Sequence, residues 1–314
     1  MKKEVIRDPI ILRAKRDKKK ALFKKNASMW LSFSLLALLC IVMIMPILLT
    51  ITNSFMSSSE ISANYGQVFR VLTSDKGSTF ISDTVNLKLI PDSVVFDQFS
   101  TILIKSPHYI LKFWNSVLYS VPVVVFQIVL ALAAAYGFAR FQNGWRQIIF
   151  FVYVILMLMP YQVTLVPNYI VSKFLGLLDT PFSIILPGIF SPFAVFILTR
   201  FMKRIPASMI EAAKLDGAGE WQIFRRICVP MSSSIIYSVA ILIFIDYWNM
   251  VEQPLIMLSD SEAHPLSVFL SNLNTQDTGI AFAAATIYMV IPMLIFLYSE
   301  DYLVEGISYS GGIK

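Results

Sequence analysis

The chain has 314 residues, of which 56% are hydrophobic and only 15% charged, with 24 Phe and 14 Met. Soluble domains carry roughly 45–50% apolar and about 25% charged residues, so this composition excludes an ordinary soluble domain, a disordered chain and a disulfide-built scaffold, and it points to lipid as the solvent. The net charge of +6 is uneven, because residues 1–28 carry eleven Lys or Arg against Glu4, Asp8 and Asp17; with an apolar run directly behind it, this block reads as an orienting tail at a membrane rather than an arm for nucleic acid.

A helix needs about 20 apolar residues to cross a hydrocarbon core of roughly 30 Å. Six stretches meet or approach that length: 29–52, 113–139, 147–172, 180–199, 229–245 and 278–299, and none of the six contains a charged residue. The first is too long for a cleaved leader, whose apolar core is about 7–15 residues, and reads as a retained signal-anchor. The connection over 53–112 is unusually long, with a serine-rich start at Ser57-Ser58-Ser59 and a strand-like piece at 93–96, and it reads as a small outer cap. Lys and Arg then set the orientation. They crowd the N-terminal tail, Arg140 and Arg146 after span two, and six positions after span four; Lys173 stands alone after span three, and 250–277 has none. The expected organisation is an all-α, multi-pass cell-membrane protein. It has a basic cytoplasmic tail over 1–28 and a transmembrane domain over 29–314, with an outer loop over 53–112, a cytoplasmic loop over 200–230, and both termini inside.

Prolines 46, 122, 160, 167, 187, 192 and 292 fall in or beside the spans. Proline frees a carbonyl and kinks a helix. That suits hinge-capable transport helices and equally suits irregular packing. Cys40 and Cys228 read as two buried thiols, and neither His108 nor His264 has metal-ligand company, so both read as ordinary loop residues.

The inner loop between spans four and five carries the most information. From Ile205 to Pro230 it reads as a short helix, a turn and a second short helix. Pro206 suits a helix start. Ser208 and Glu211 have capping-box spacing. Gly217 suits a left-handed helix end. Ile223, Phe224 and Ile227 give the second helix an apolar face, while Ala212 and Ala213 leave a low surface for another backbone. On residues alone, a membrane-surface amphipathic helix and a partner-docking helix pair both remain open.

The run Glu211-Ala212-Ala213, three residues, Gly217, nine residues, then Ile227 and Pro230 resembles the EAA motif of ABC importer permeases, and the Asp216-Gly217 pair matches its form in sugar permeases. Val229 departs conservatively from the usual Leu. The resemblance covers about residues 30–314. It includes Asn115-Ser116, Ala134 to Phe141, Met159-Pro160, Pro167, Leu175-Gly176-Leu177, Trp248-Asn249, Leu303-Val304-Glu305-Gly306 and the tail from Gly311 to Lys314. Taken together, these segments resemble the smaller permease subunit of the maltose transporter.

The resemblance implies a type I ABC importer permease fold and a transport subunit without enzymatic activity. Its loop, through Glu211, Ala212, Ala213, Asp216, Gly217, Ile227 and Pro230, would couple to a cytoplasmic ATPase dimer. No G-x-x-x-x-G-K-[ST] run is present, so ATP and Mg would be bound by that partner and this chain would hold no cofactor. A second permease subunit in a heterodimer and an extracellular solute-binding protein docking on 250–277 are also implied. A carbohydrate is the expected cargo. A permease for a non-sugar solute is the alternative; a secondary transporter would need intramembrane ion-coupling groups that the uncharged spans lack, and a membrane-embedded enzyme would need a His, Asp or Cys cluster within them. On the substrate side, Asp246, Trp248, Asn249 and Glu252 form a polar group that suits a sugar path or, alternatively, an interfacial belt. Gln127, Tyr161 and Gln162 read first as ties between helices, with path lining as the other reading.

Overall fold

The structure, a computed structural model, describes residues 9–73, 87–141, 143–272 and 278–311, so 1–8 of the basic tail, 74–86 of the outer loop and 312–314 of the C-terminal motif lie outside the described residues. In chain order the helices are α1 (Pro9–Asn53), α2 (Ser58–Thr73), α3 (Asp97–Ser100), α4 (Pro107–Arg140), α5 (Gly144–Met157), α6 (Tyr161–Phe174), α7 (Phe182–Gly188), α8 (Pro192–Met202), α9 (Ala207–Leu215), α10 (Glu220–Ile223), α11 (Val229–Met231), α12 (Ser233–Trp248), α13 (Glu252–Met257), α14 (Leu266–Ser271) and α15 (Thr278–Gly311). Among the described residues there is no strand.

The six expected spans correspond to four long apolar helical segments, at Ser28–Asn53, Pro107–Arg140, Phe182–Met202 and Gly279–Tyr302, and two bent pairs. The predicted single span over 147–172 is one of those pairs: α5 and α6 meet at 105° across Leu158, Met159 and Pro160. Pro160 has no N–H to give and pushes the residue before it out of the helical region, so the helix ends and restarts. The second bend, 74°, lies between the Glu220–Met231 segment and α12. By contrast, Pro46, Pro122, Pro167 and Pro292 sit inside continuous helices.

α4 organises the bundle. Its 34 residues reach about 51 Å at 1.5 Å each, well beyond the hydrocarbon thickness, so it joins both ends of the molecule. Its buried stripe Val123, Ala131 and Ala135 packs with Ala194 and Leu198 of α8 and Val239 and Ile243 of α12. Small residues let membrane helices approach closely, and that is the role of the alanines here. Gly188 serves the same end: a Cβ there would lie 2.9 Å from the Tyr247 ring. The apolar side chains of α1 between Met29 and Leu48 are exposed, as expected of a helix that meets lipid.

The described part of the outer connection is helical over α2 and α3 and has no strand. Residues 93–96 are irregular; the Val95 N–H donates to the Phe55 carbonyl at 2.9 Å, Phe96 packs on the Phe55 ring, and among the described residues there is no strand for them to pair with. Met56, Ile61 and Tyr65 pack under Phe282 of α15, and Lys88 ties Glu60 to Asp92.

Candidate functional site

The first candidate surface is the hairpin between α8 and α12. α9 starts after Pro206 without a side-chain cap, so the expected Ser208–Glu211 box is not formed. The fixed φ of Pro206 already orders that turn, and Glu211 is left exposed. Half of such a box forms one helix later instead, where the Gly219 N–H donates to Gln222 Oε1 at 3.1 Å. Gly217 has φ +83°. Around it the Ala218 N–H reaches the Ala213 carbonyl at 2.9 Å and the Gly217 N–H reaches the Lys214 carbonyl at 3.0 Å. This is the paired-bond helix ending that a left-handed residue permits.

The hairpin has two sides. Ile210 and Ile223 are fully buried in the α4–α8–α12 core, with Ala213 packed against them. On the other side, Glu211, Ala212, Asp216 and Gly217 are exposed, beside Leu215 at 89% and Trp221 at 69% exposure. Two large apolar side chains held this far into solvent by a buried base form a surface built to be covered. Phe224–Cys228 winds as a π turn into α11, leaving Ile227 half-buried and Pro230 exposed.

Sequence reasoning missed how the hairpin is fastened. The Lys214 ammonium lies 2.6 Å from Glu220 Oε1, and the Tyr136 hydroxyl at the end of α4 donates to the other carboxylate oxygen. No spacing rule links these three, because they come from three different elements. Lys214 first, and Tyr136 second, hold the Glu220 carboxyl below its ordinary value of 4.5. A depressed carboxylate contributes its full stability above the unfolded value and loses it as pH falls through the folded one. Glu220→Gln is therefore expected to speed hydrogen exchange in 207–231 about two- to fivefold at neutral pH. Wild type, corrected for intrinsic exchange, should converge on that rate only below pH 4.5. Unchanged exchange at neutral pH would show that the carboxylate does not hold the hairpin.

The second candidate lies at the opposite end of α12. Asp246, Asn249 and Glu252 line a cavity of 400 Å³ together with Tyr161, Gln162 and Gln253. The bend at Pro160 brings Tyr161 and Gln162 to it, so these two are lining residues here. Trp248 is not with them. It is fully buried, stacked between Phe244 and Tyr288 at 5.2 Å each and meeting Phe113 edge-on at 5.8 Å. Tyr288 of α15 completes the clamp by donating to the Trp248 carbonyl at 2.5 Å and lying 2.9 Å from Asn249 Oδ1. Gln127 stays buried within α4.

The loop beyond α13 is strapped to the start of α4. His108 Nδ1 meets Glu262 Oε2 at 2.6 Å, the Asn115 amide donates to the Glu262 carbonyl at 2.7 Å, and the Tyr119 hydroxyl donates to the Ala263 carbonyl at 2.7 Å. His264 Nε2 lies 3.0 Å from the Leu258 carbonyl. Both histidines thus anchor this loop rather than merely decorate it. Among the described residues no metal-ligating group of His, Cys, Asp or Glu occurs.

Bent apolar helices, a polar cavity at one end and a protruding two-helix arm at the other define a polytopic permease. Residues 105–309 match the model of the binding-protein-dependent transport system inner membrane component, and the chain belongs to that family. It is thus a multi-pass permease subunit of an ABC importer, not an enzyme. The arabinooligosaccharides transport system permease protein AraQ of Halalkalibacterium halodurans is 26% identical over 288 residues, 91% of this chain and 96% of that protein. The osmoprotective compounds uptake permease protein GgtD of Synechocystis is 34% identical over 210 residues, 64% of this chain and 70% of that one. Among solved structures, a bacterial ABC transporter involved in import of the acidic polysaccharide alginate superposes with a TM-score of 0.68 at 21% identity, covering 90% of this chain and 96% of that chain.

Proposed function

We propose that this permease moves a sugar or oligosaccharide delivered by an extracellular solute-binding protein, in a heterodimer with a second permease and on top of a cytoplasmic ATPase dimer. The observation that carries the sugar reading is the cavity lined by Tyr161, Gln162, Asp246, Asn249 and Glu252. Amides donate hydrogen bonds to hydroxyls and accept them, carboxylates accept them, and an aromatic ring gives an apolar sugar face something to lie on. The carbohydrate named for the AraQ relative supports it.

The hairpin is the mechanical part. Glu211, Ala212, Ala213, Asp216, Gly217, Ile227 and Pro230 belong to an arm whose exposed apolar residues fit a groove on the ATPase. ATP and Mg are bound by that partner; closing its dimer pulls the arm, and the arm moves α12, whose far end lines the cavity. The arm and both termini are then cytoplasmic, and the cavity faces the binding-protein side. The test is to purify the assembled complex, screen its binding protein against sugars and oligosaccharides, and follow uptake of the best ligand in cells. Asp246→Ala together with Glu252→Ala is expected to raise the KM for uptake about thirtyfold, the loss of two hydroxyl hydrogen bonds of about 1 kcal/mol each, with the complex still assembled. Uptake with unchanged KM would remove the cavity from the path. The GgtD relationship favours a second reading, a polar non-sugar solute, and the same screen extended to osmolytes decides it.

A further inference from the structure

A third feature, distinct from both candidate surfaces, lies where α4 and α8 end and α5 begins, beside the hairpin. A cavity of 80 Å³ there is lined by Phe138, Phe141, Arg146, Gln147, Phe150 and Lys203. Both of its cations lie over aromatic rings. Arg146 Cζ is 4.7 Å from the Phe141 centroid and Lys203 Nζ is 5.2 Å from that of Phe150. A third cation continues the row, with Arg200 Cζ 5.3 Å from the Phe196 centroid. Two of these rings are in contact, Phe150 stacking on Phe196 at 6.0 Å, and Phe150 also meets Phe138 at 5.4 Å.

Among the described residues no carboxylate lines this cavity, and the ion pairs found among them involve neither Arg146, Arg200 nor Lys203. Two neighbouring features fit the height of lipid headgroups. Trp145 is 79% exposed next to Arg146, the position an interfacial tryptophan takes. The cavity also opens at the N-terminus of α5, a 14-residue helix whose positive dipole end favours an anion. Cations over rings keep their charge available to a further ligand, because a ring face satisfies none of their N–H donors. The space suits a phosphate-sized group with its glycerol and acyl chains running along the exposed apolar faces of Ile148, Phe151 and Val152.

We propose that this cavity binds the headgroup phosphate of an anionic phospholipid, through Arg146 and Lys203, at the root of the hairpin. Lys203 stands four residues before the start of α9, so the bound lipid steadies the helix end from which the arm extends. The reading rests on the membrane location of the chain and on this cluster alone. It does not depend on which solute is carried or on what the arm touches.

The test uses the assembled transporter in nanodiscs of phosphatidylcholine alone, or of phosphatidylcholine and phosphatidylglycerol in equal parts, followed by native mass spectrometry after mild release. Wild type is expected to retain phosphatidylglycerol in preference to phosphatidylcholine. Arg146→Gln with Lys203→Gln is expected to lower the retained phosphatidylglycerol on the order of twentyfold, since each cation near a membrane surface is worth about a fivefold preference for anionic lipid. Arg146→Lys with Lys203→Arg, which keeps both charges, is expected to stay within about threefold of wild type. Equal retention of the two lipids by wild type would overturn the proposal, as would undiminished retention in the neutral pair. Should inorganic phosphate raise the melting temperature in phosphatidylcholine discs as much as phosphatidylglycerol does, the site takes free anions and the lipid assignment falls.

Discussion

Gly217→Val is expected to abolish most uptake while leaving the protein inserted and assembled. Gly217 sits at φ +83°, and a Cβ added there would meet nothing within 4 Å. The cost is therefore one of backbone conformation and not of collision. An L-residue in this region costs on the order of 1–2 kcal/mol, and a β-branched one more. The chain can escape by unwinding the turn, which breaks the two bonds from Gly217 and Ala218 into α9 and lets Leu215 and Trp221 lose their fixed separation. At 1.4 kcal/mol per tenfold, uptake should fall about tenfold or more. ATP hydrolysis by the complex should persist but cease to respond to the loaded binding protein. Two controls make the result specific. Gly217→Asn should retain most activity, because asparagine tolerates the left-handed region. Gly219→Ala should be near neutral, because Gly219 has φ −74° and open space around it. If Gly219→Ala were as damaging as Gly217→Val, the loop would be sensitive to any added side chain and the conformational argument would fail.

What was legible beforehand follows the physics of each signal. Six uncharged runs of sufficient length are a bulk property, and they map onto four long helical segments, one of them interrupted between α7 and α8, and two bent pairs. Gly217 was legible because a left-handed position has a strong residue preference. The bend at Pro160 was half legible: proline marked the place, but Pro122 and Pro292 are also in the middle of apolar runs and leave their helices continuous. Whether a proline breaks a helix depends on what re-satisfies the freed carbonyl, and that is set by neighbours in space. The Lys214–Glu220–Tyr136 fastening and the Phe141–Arg146 and Phe150–Lys203 stacks were illegible for the same reason, since each joins elements whose relation exists only after folding. The capping-box reading of Ser208 and Glu211 went the other way. A local rule was satisfied on paper, yet Pro206 already set the helix start and the side chains stayed in solvent.

Trp248→Ala is expected to be the most destabilising single substitution in the chain, and it separates two roles that the sequence leaves joined. In the sequence Trp248 stands with Asp246, Asn249 and Glu252. In the fold its ring points the other way, with no exposed surface, against Phe113 of α4, Phe244 of α12 and Tyr288 of α15. Removing a buried tryptophan leaves a cavity that costs about 3–5 kcal/mol. Three helices share this one, so they would lose their common contact together. The expected outcome is a melting temperature in detergent lower by roughly 5–15 °C and little assembled complex. Trp248→Phe should cost much less. Among the described residues the Nε1 of Trp248 has no hydrogen-bond partner, so phenylalanine gives up no bond to them and retains most of the stacking. The decisive measurement is the KM for uptake in Trp248→Phe. A packing residue leaves it unchanged while Asp246→Ala with Glu252→Ala raises it; a ring that stacks on passing sugar would raise it in both. A raised KM in Trp248→Phe at normal stability would mean that the ring turns into the path in another state of the transport cycle, which the three-helix stack argues against, because freeing it would require α4, α12 and α15 to part together.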